Sequence, residues 1–312
     1  MNSIQGHKEV IQTLFQSIQN KSLSPSLLFY GPPSIGKKLV ALQAVQKLLC
    51  PLFPSCKNCN TCRQVENKQH PSLLFIEPEG ISIKIGVISK IRSFISLQSF
   101  SSCRIVLIDQ AHTMNTQTQN ALLKSLEEPP VGVYFILVCD QIAKLLPTIH
   151  SRTQLIRFSR LKLQEMKKIL PEEQEWKLKA SRGQLNRVNQ WKEEEELYKE
   201  LFNLLKGQKI SSTLSTRLKD RKTALLAART LQEILRDIRI MQAGGKDLIH
   251  IHQSPSYKKW EEVSPQAIHQ LYRKACQLEQ DILSYLDSLL CFENYWNHAH
   301  QYLSENRDHH VG

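Results

Sequence analysis

Two clusters in this 312-residue chain have residue types and spacings that could do chemistry. The first is Gly31-Pro32-Pro33-Ser34-Ile35-Gly36-Lys37-Lys38, set between the apolar run Leu27–Tyr30 and a helical pattern. A strand, then G-x-x-x-x-G-K, then a helix lets backbone N–H groups wrap a phosphate, with the lysine and the helix amino end adding positive charge. The next position is normally Ser or Thr, whose hydroxyl ligates the magnesium bridging the terminal phosphates. Here it is Lys38, which has no oxygen to offer. Phosphate binding is compatible with such a loop; efficient hydrolysis is not.

A second oxygen can be sought downstream. Ile105-Val106-Leu107-Ile108-Asp109 is an apolar strand ending in an acid, where nucleotide-binding folds of this kind keep a metal-organising carboxylate. Asp109 meets that requirement, but it is followed by Gln110, which cannot take a proton from water at neutral pH, where a hydrolase carries Glu. The plain alternative, a tight turn in an α/β domain, does not account for strand, glycines, lysine and strand-end acid recurring in this order.

The other cluster is Cys50, Cys56, Cys59 and Cys62, spaced C-x5-C-x2-C-x2-C in a turn-rich stretch with Pro51, Pro54, Lys57, Asn58 and Asn60. Four thiolates at such spacing suit a tetrahedral zinc, and with every ligand from protein the site is structural rather than catalytic. An iron–sulfur cluster, a pair of disulfides and an unligated loop remain open to the same four residues. The isolated Cys103, Cys139, Cys276 and Cys291 read as core residues.

These clusters need elements to hold them. Apolar runs at 72–76, 104–109, 133–139 and 154–158 join the one at Leu27 as five strands, each short enough to be buried on both faces. Helical patterns at 7–20, 39–49, 85–97, 116–128 and 143–149 alternate with them. Alternation of this kind implies right-handed crossovers and a five-stranded parallel sheet with helices on both faces, filling residues 1–160. Beyond Leu161 only helices are expected, at 164–170, 176–180, 185–205, 215–242 and 265–303, the last with room for one break, while Gly244-Gly245 and the polar stretch 253–257 separate the last two and 304–312 is a solvated tail.

Composition bounds the partners. Residues 1–160 carry 17 Lys+Arg and 8 Asp+Glu, a net +9, whereas the remaining 24 and 21 leave +3. The basic half suits polyanions, nucleotide or nucleic acid, although a solubilising lysine surface has the same composition. No run reaches the ~20 apolar residues of a membrane span and no apolar signal core opens the chain, so a cytoplasmic protein with no membrane partner is expected.

Several stretches together resemble the clamp-loader branch of the AAA+ ATPases. They are Ile4-Gln5-Gly6-His7, the loop from Gly31 to Lys37, the cysteines with His70-Pro71, Ile108-Asp109, Asn120-Ala121-Leu122-Leu123-Lys124-Ser125-Leu126-Glu127-Glu128-Pro129-Pro130, and Leu145-Leu146-Pro147-Thr148-Ile149-His150-Ser151-Arg152. By motif the resemblance covers residues 1 to about 190.

The resemblance implies a AAA+ P-loop domain over 1–160, a small helical lid domain over 161–207 and an all-α collar over 208–312 that assembles five subunits into a ring. It implies ATP or ADP at residues 31–38, with Asp109, Asp140 and Arg187 around it. In this family Ser-Arg-Cys presents an arginine to the neighbouring subunit's ATP; the triplet here is Ser151-Arg152-Thr153, making Arg152 the expected finger in trans. Implied partners are gamma or tau and delta subunits in a hetero-pentamer, the sliding clamp and primed DNA. With the magnesium hydroxyl and the Glu replaced, the expected role is a non-hydrolysing subunit of the DNA polymerase III clamp loader. An active motor subunit and a zinc-containing nucleic-acid binder are the alternatives.

Overall fold

The computed structural model describes residues 4–52, 56, 58–80, 82–96, 103–193, 195–205, 209–245, 248, 260, 263–284 and 286–305. The expected polar break at 253–257, the tail from 306 onward, and Pro54 and Lys57 between the cysteines lie outside them. The chain divides into two compact units. The first comprises Met1–Glu172 with Arg182–Leu185, and the second Glu173–Ser181 with Asn186–Gly312.

The first unit is built on a five-stranded parallel sheet: β1 (Ser26–Tyr30), β2 (Leu73–Ile76), β3 (Arg104–Ile108), β4 (Val133–Cys139) and β5 (Gln154–Arg157), in the order β2-β3-β4-β1-β5. Every pairing is parallel. The three central strands read as near-continuous apolar runs because helices cover both faces, and Leu27, Leu28, Phe29, Ile105, Leu107 and Phe135 are fully buried. Each such side chain contributes about 1.5–3 kcal/mol through burial.

The edge strand β5 departs from the expectation of burial on both faces. Gln154, Leu155 and Arg157 are exposed, and the large apolar residue Phe158 is buried just past the strand end. An edge strand has only one paired side, so it needs less apolar side chain.

Helices α1 (Lys8–Gln19), α2 (Lys37–Leu49), α3 (Asn60–Glu66), α4 (Val87–Ser96), α5 (Thr116–Glu127), α6 (Pro147–His150) and α7 (Leu163–Ile169) complete this unit. The expected helix at 143–149 is instead a 3-10 turn, Ile142–Lys144, followed by α6, because Pro147 can only open a helix. The helix at α3 was not expected. It is seven residues long, too short to show a period, and the Cys59 sulfur begins it by accepting the Cys62 N–H.

The second unit is all-helical among the described residues: α8 (Glu175–Ala180), α9 (Leu185–Glu193), α10 (Glu195–Leu205), α11 (Ser212–Leu218), α12 (Arg221–Gln242), α13 (Pro265–Leu283) and α14 (Ser288–Glu305). The single helix expected at 215–242 is two, because Asp220 accepts the Thr223 N–H at 2.9 Å and caps a new start. The core lies between α10 and α14, with Leu231, Ile234, Leu235, Ile238, Ile268, Ile282 and Phe292 all but inaccessible. Among the described residues no helix is long and apolar enough to cross a membrane.

Candidate functional site

In a parallel sheet all strand ends of one sense lie along one edge, and that edge gathers the expected residues. β1 runs into Gly31–Gly36, Asp109 follows β3, Asp140 follows β4, and Glu77 follows β2. Ile76 and Ile108 are register partners, so Glu77 and Asp109 leave adjacent strands at the same level.

The loop is held by its backbone. A Cβ at Gly31 would stand 2.1 Å from the Phe158 carbonyl oxygen, so only glycine lets the two chains pass. Gly36 opens α2 at φ 98, a left-handed conformation that side chains disfavour. Between them the Leu185 N–H donates to the Ser34 oxygen at 2.9 Å, and His7 Nε2 lies 2.8 Å from the Ile35 oxygen. The His7 ring also meets Phe158 edge-on at 5.0 Å. Pro32 and Pro33 complete the turn.

Lys37, 3% exposed, donates to the Gly31 oxygen at 2.9 Å and to the Pro32 oxygen, and pairs with Asp140 Oδ1 at 2.7 Å. An ammonium has three donors, and all three are engaged. Asp140, which the resemblance places near a nucleotide, is here the carboxylate that fixes the loop lysine. Its own N–H donates to His112 Nδ1 at 3.3 Å. Burial lowers the His112 pKa below the ordinary imidazole value, ahead of opposing contributions from nearby charges.

Lys38 turns the other way. Its ammonium lies 2.8 Å from Asp109 Oδ2 and 3.2 Å from Glu77 Oε2, with the Phe75 ring 4.9 Å away. Burial opposes its charge, but the hydrogen bonds and charges of Asp109 and then Glu77 outweigh that and raise its pKa. Asp109 Oδ1 accepts the Gln110 N–H at 3.0 Å, so both carboxylate oxygens are engaged. Gln110 itself is exposed, in a left-handed conformation. Glu77 also pairs with Lys68 at 3.1 Å, and this bond, more than Lys38, holds its carboxyl below the ordinary value. Sequence reasoning missed Glu77. Its one signal was an acid immediately after an apolar strand.

The four cysteines do converge. Their sulfurs lie within 4.8 Å of one another, with Cys50 3.9 Å from Cys56 and 3.8 Å from Cys59. A tetrahedron with ~2.3 Å metal–sulfur bonds has sulfur edges of about 3.8 Å, so the donor set fits a metal ion. Cys50 and Cys62 are buried, and Gln46 Nε2 donates to the Cys62 oxygen at 3.1 Å, tying the cluster to α2. The Cys56 thiol is pushed down to about 6, first by the Asn58 N–H and then by the Cys59 N–H, which favours the thiolate a metal takes.

Arg152 lies on another part of this unit, just after α6. Buried Gln119 of α5 sets that segment: its amide donates to Met114 and Lys144 oxygens at 2.9 and 3.1 Å, and its oxygen accepts the Leu146 N–H at 2.8 Å. Arg152 Nε donates to Glu127 Oε2 at 2.9 Å and Nη1 to the Thr148 oxygen at 3.3 Å. Arg152 and Glu127, with Ser24, Ser151, Thr153 and Gln154, line an open cleft of about 570 Å³. Arg187 belongs to the second unit, where it pairs with Glu233.

The sequence model of the family described as "DNA polymerase III, delta subunit" matches residues 6–162. The chain is 33% identical over 164 residues to DNA polymerase III subunit delta' of Bacillus subtilis, covering 52% of this chain and 49% of that protein. It is 34% identical over 131 residues to DNA polymerase III subunit delta' of Pseudomonas aeruginosa, covering 40% of each. DNA polymerase III subunit tau of B. subtilis is 30% identical over 177 residues, 54% of this chain and 31% of that protein. The chain thus spans about half the length, or less, of these relatives. The matched segment of the family model takes in the whole parallel sheet, the lysine-bearing loop, the four cysteines and Arg152, and the chain belongs to the DNA polymerase III delta-subunit family.

Proposed function

We propose that this chain is a non-hydrolysing, delta-prime-like subunit of the DNA polymerase III clamp loader, which places a sliding clamp on primed DNA. The observation that carries the reading is the Lys38–Asp109 pair, an ammonium at the position where a hydrolysing subunit keeps a magnesium-ligating hydroxyl. A chain of this family with that substitution serves the assembly through structure rather than through its own turnover. The names of its delta' and tau relatives support gamma or tau and delta subunits as partners in the ring. The helices from 161 to 207 and from 208 onward act as lid and collar, in a cytoplasmic complex.

In this reading Arg152 is the group that acts. Its planar guanidinium enters the neighbouring subunit's site and bridges phosphate oxygens as negative charge builds in the transition state. Asp109 and Asp140 are remnants of the chain's own nucleotide site. The residues that would hold zinc are Cys50, Cys56, Cys59 and Cys62, and the ion would staple residues 50–62 to the end of α2. The reading is tested by Arg152→Ala in a loader reconstituted with its motor subunits and delta. A large loss of DNA-stimulated ATPase with assembly intact supports it, and unchanged ATPase refutes it.

A further inference from the structure

The magnesium that a AAA+ fold implies does not fit the residues present. Position 38 offers an ammonium instead of an oxygen, and Asp109 has one oxygen on that ammonium at 2.8 Å and the other on the Gln110 N–H at 3.0 Å. We infer that Lys38 is the resident cation of this loop: its ammonium takes the divalent metal's place between the loop and the strand-end carboxylate, and any phosphate the loop accepts is accepted free of metal. This deepens the reading of residues 31–38 as a nucleotide-type loop and rests on it.

Local charge supports the assignment. Lys38 and Lys68 face Asp109 and Glu77, two positive groups against two negative ones, joined by contacts of 2.8, 3.2 and 3.1 Å. The set is already neutral. A divalent ion added at Asp109 would leave two excess positive charges beside a largely buried carboxylate, where Coulomb repulsion is poorly screened. The Phe75 face, 4.9 Å from Lys38 Nζ and 4.1 Å from Lys68 Nζ, favours both ammoniums where they stand.

The geometry also shows what the substitution achieves. Lys38 lies in the first turn of α2, Asp109 at the end of β3 and Glu77 just past β2. A hydroxyl would join these elements only while a metal–nucleotide complex was bound, whereas the lysine joins them without one. The ligand class that suits the loop is therefore a phosphate or nucleotide without magnesium, and the shape of the loop does not depend on the metal.

The test is thermal unfolding of the whole chain in ADP with and without added Mn²⁺, no chelator being present because it would also draw a metal from the cysteine centre. The wild type is expected to melt at one temperature in both, as is Lys38→Arg, which keeps a cation. Lys38→Ser is expected to melt several degrees lower without Mn²⁺ and to recover most of that loss with it, and the added Asp109→Asn change removes the recovery. If Lys38→Ser does not respond to Mn²⁺, or the wild type responds as strongly as Lys38→Ser, the inference is wrong. Should Lys38→Ser fail to fold, loss of the free-Mn²⁺ electron paramagnetic resonance signal on adding wild-type chain decides the matter: saturable uptake that Asp109→Asn abolishes overturns the inference, and its absence supports it. No partner subunit is needed, so this result and that of the Arg152 experiment stand or fall separately.

Discussion

Arg152 Nε donates to Glu127 Oε2 at 2.9 Å, joining the segment after α6 to the last residue of α5. The arginine is 29% exposed and the glutamate 55%, so this is a solvent-screened pair. Glu127→Ala is expected to change unfolding free energy by less than about 1 kcal/mol in urea titrations, with the small difference shrinking in high salt. If Arg152 is the finger proposed above, the same change in a reconstituted loader is expected to free Nε and alter the salt dependence of DNA-stimulated ATPase, and an unchanged dependence counts against that role.

Gly31 tolerates no side chain. With the Phe158 oxygen 2.1 Å from the position of a Cβ, the neighbour is backbone and cannot swing away. Gly31→Ala should cost at least about 1–3 kcal/mol, the range for a strained backbone conformation, before the clash is added. A shift of the urea midpoint with unchanged slope would report this as lost stability. A variant as stable as the parent would mean that β1 and the Phe158 segment can separate.

The cysteine centre makes a compositional prediction. Metal analysis of purified chain should find zinc, and Cys62→Ser should remove it, because Cys62 is buried among the other three and a tetrahedral ion needs all four sulfurs. Chelation is expected to expose the amides of 59–66 to hydrogen exchange first, since the Cys59 sulfur is the cap of α3. Full retention of metal in Cys62→Ser would exclude this ligand set.

Glu77 gives a prediction in pH. Its folded-state pKa lies below the ordinary 4.5, chiefly through the Lys68 hydrogen bond, so its stabilisation is present above 4.5 and is lost as pH falls through the folded value. Because half of the side chain is exposed, Glu77→Gln should lower stability at pH 7 by no more than about 1 kcal/mol. The gap between variant and parent should close as pH is lowered through the carboxylate range. Equal stabilities at pH 7 would show that Lys38 and Lys68 find other partners.

Most of what was legible in the sequence is local in the chain. The G-x-x-x-x-G-K loop, the strand-end Asp109 and the cysteine spacing are patterns of adjacent residues, and the apolar runs of β1, β3 and β4 follow directly from burial on two faces. What was hidden depends on neighbours distant in sequence. Glu77 has no motif, and only the pairing of Ile76 with Ile108 brings it to Asp109 and Lys38. Glu127 sits inside a recognised stretch, but its partnership with Arg152 requires α5 to lie beside the segment after α6. The exposed β5 was misread because Leu155, Ile156 and Phe158 look like core when only Phe158 is fully buried. The start of α12 turned on one aspartate, Asp220, in an otherwise continuous helical pattern.

The first unit is not one continuous piece of chain. It runs to Glu172, leaves for the second unit, and returns at Arg182–Leu185, where the Leu185 N–H reaches the Ser34 oxygen of the loop. During synthesis on the ribosome, therefore, the sheet can be complete while the loop still lacks one of its fastenings. A protein expressed only to residue 160 would have every strand and both lysines but would lack the Leu185–Ser34 fastening, and measurements of ligand binding on such a fragment would describe a different object from the whole chain.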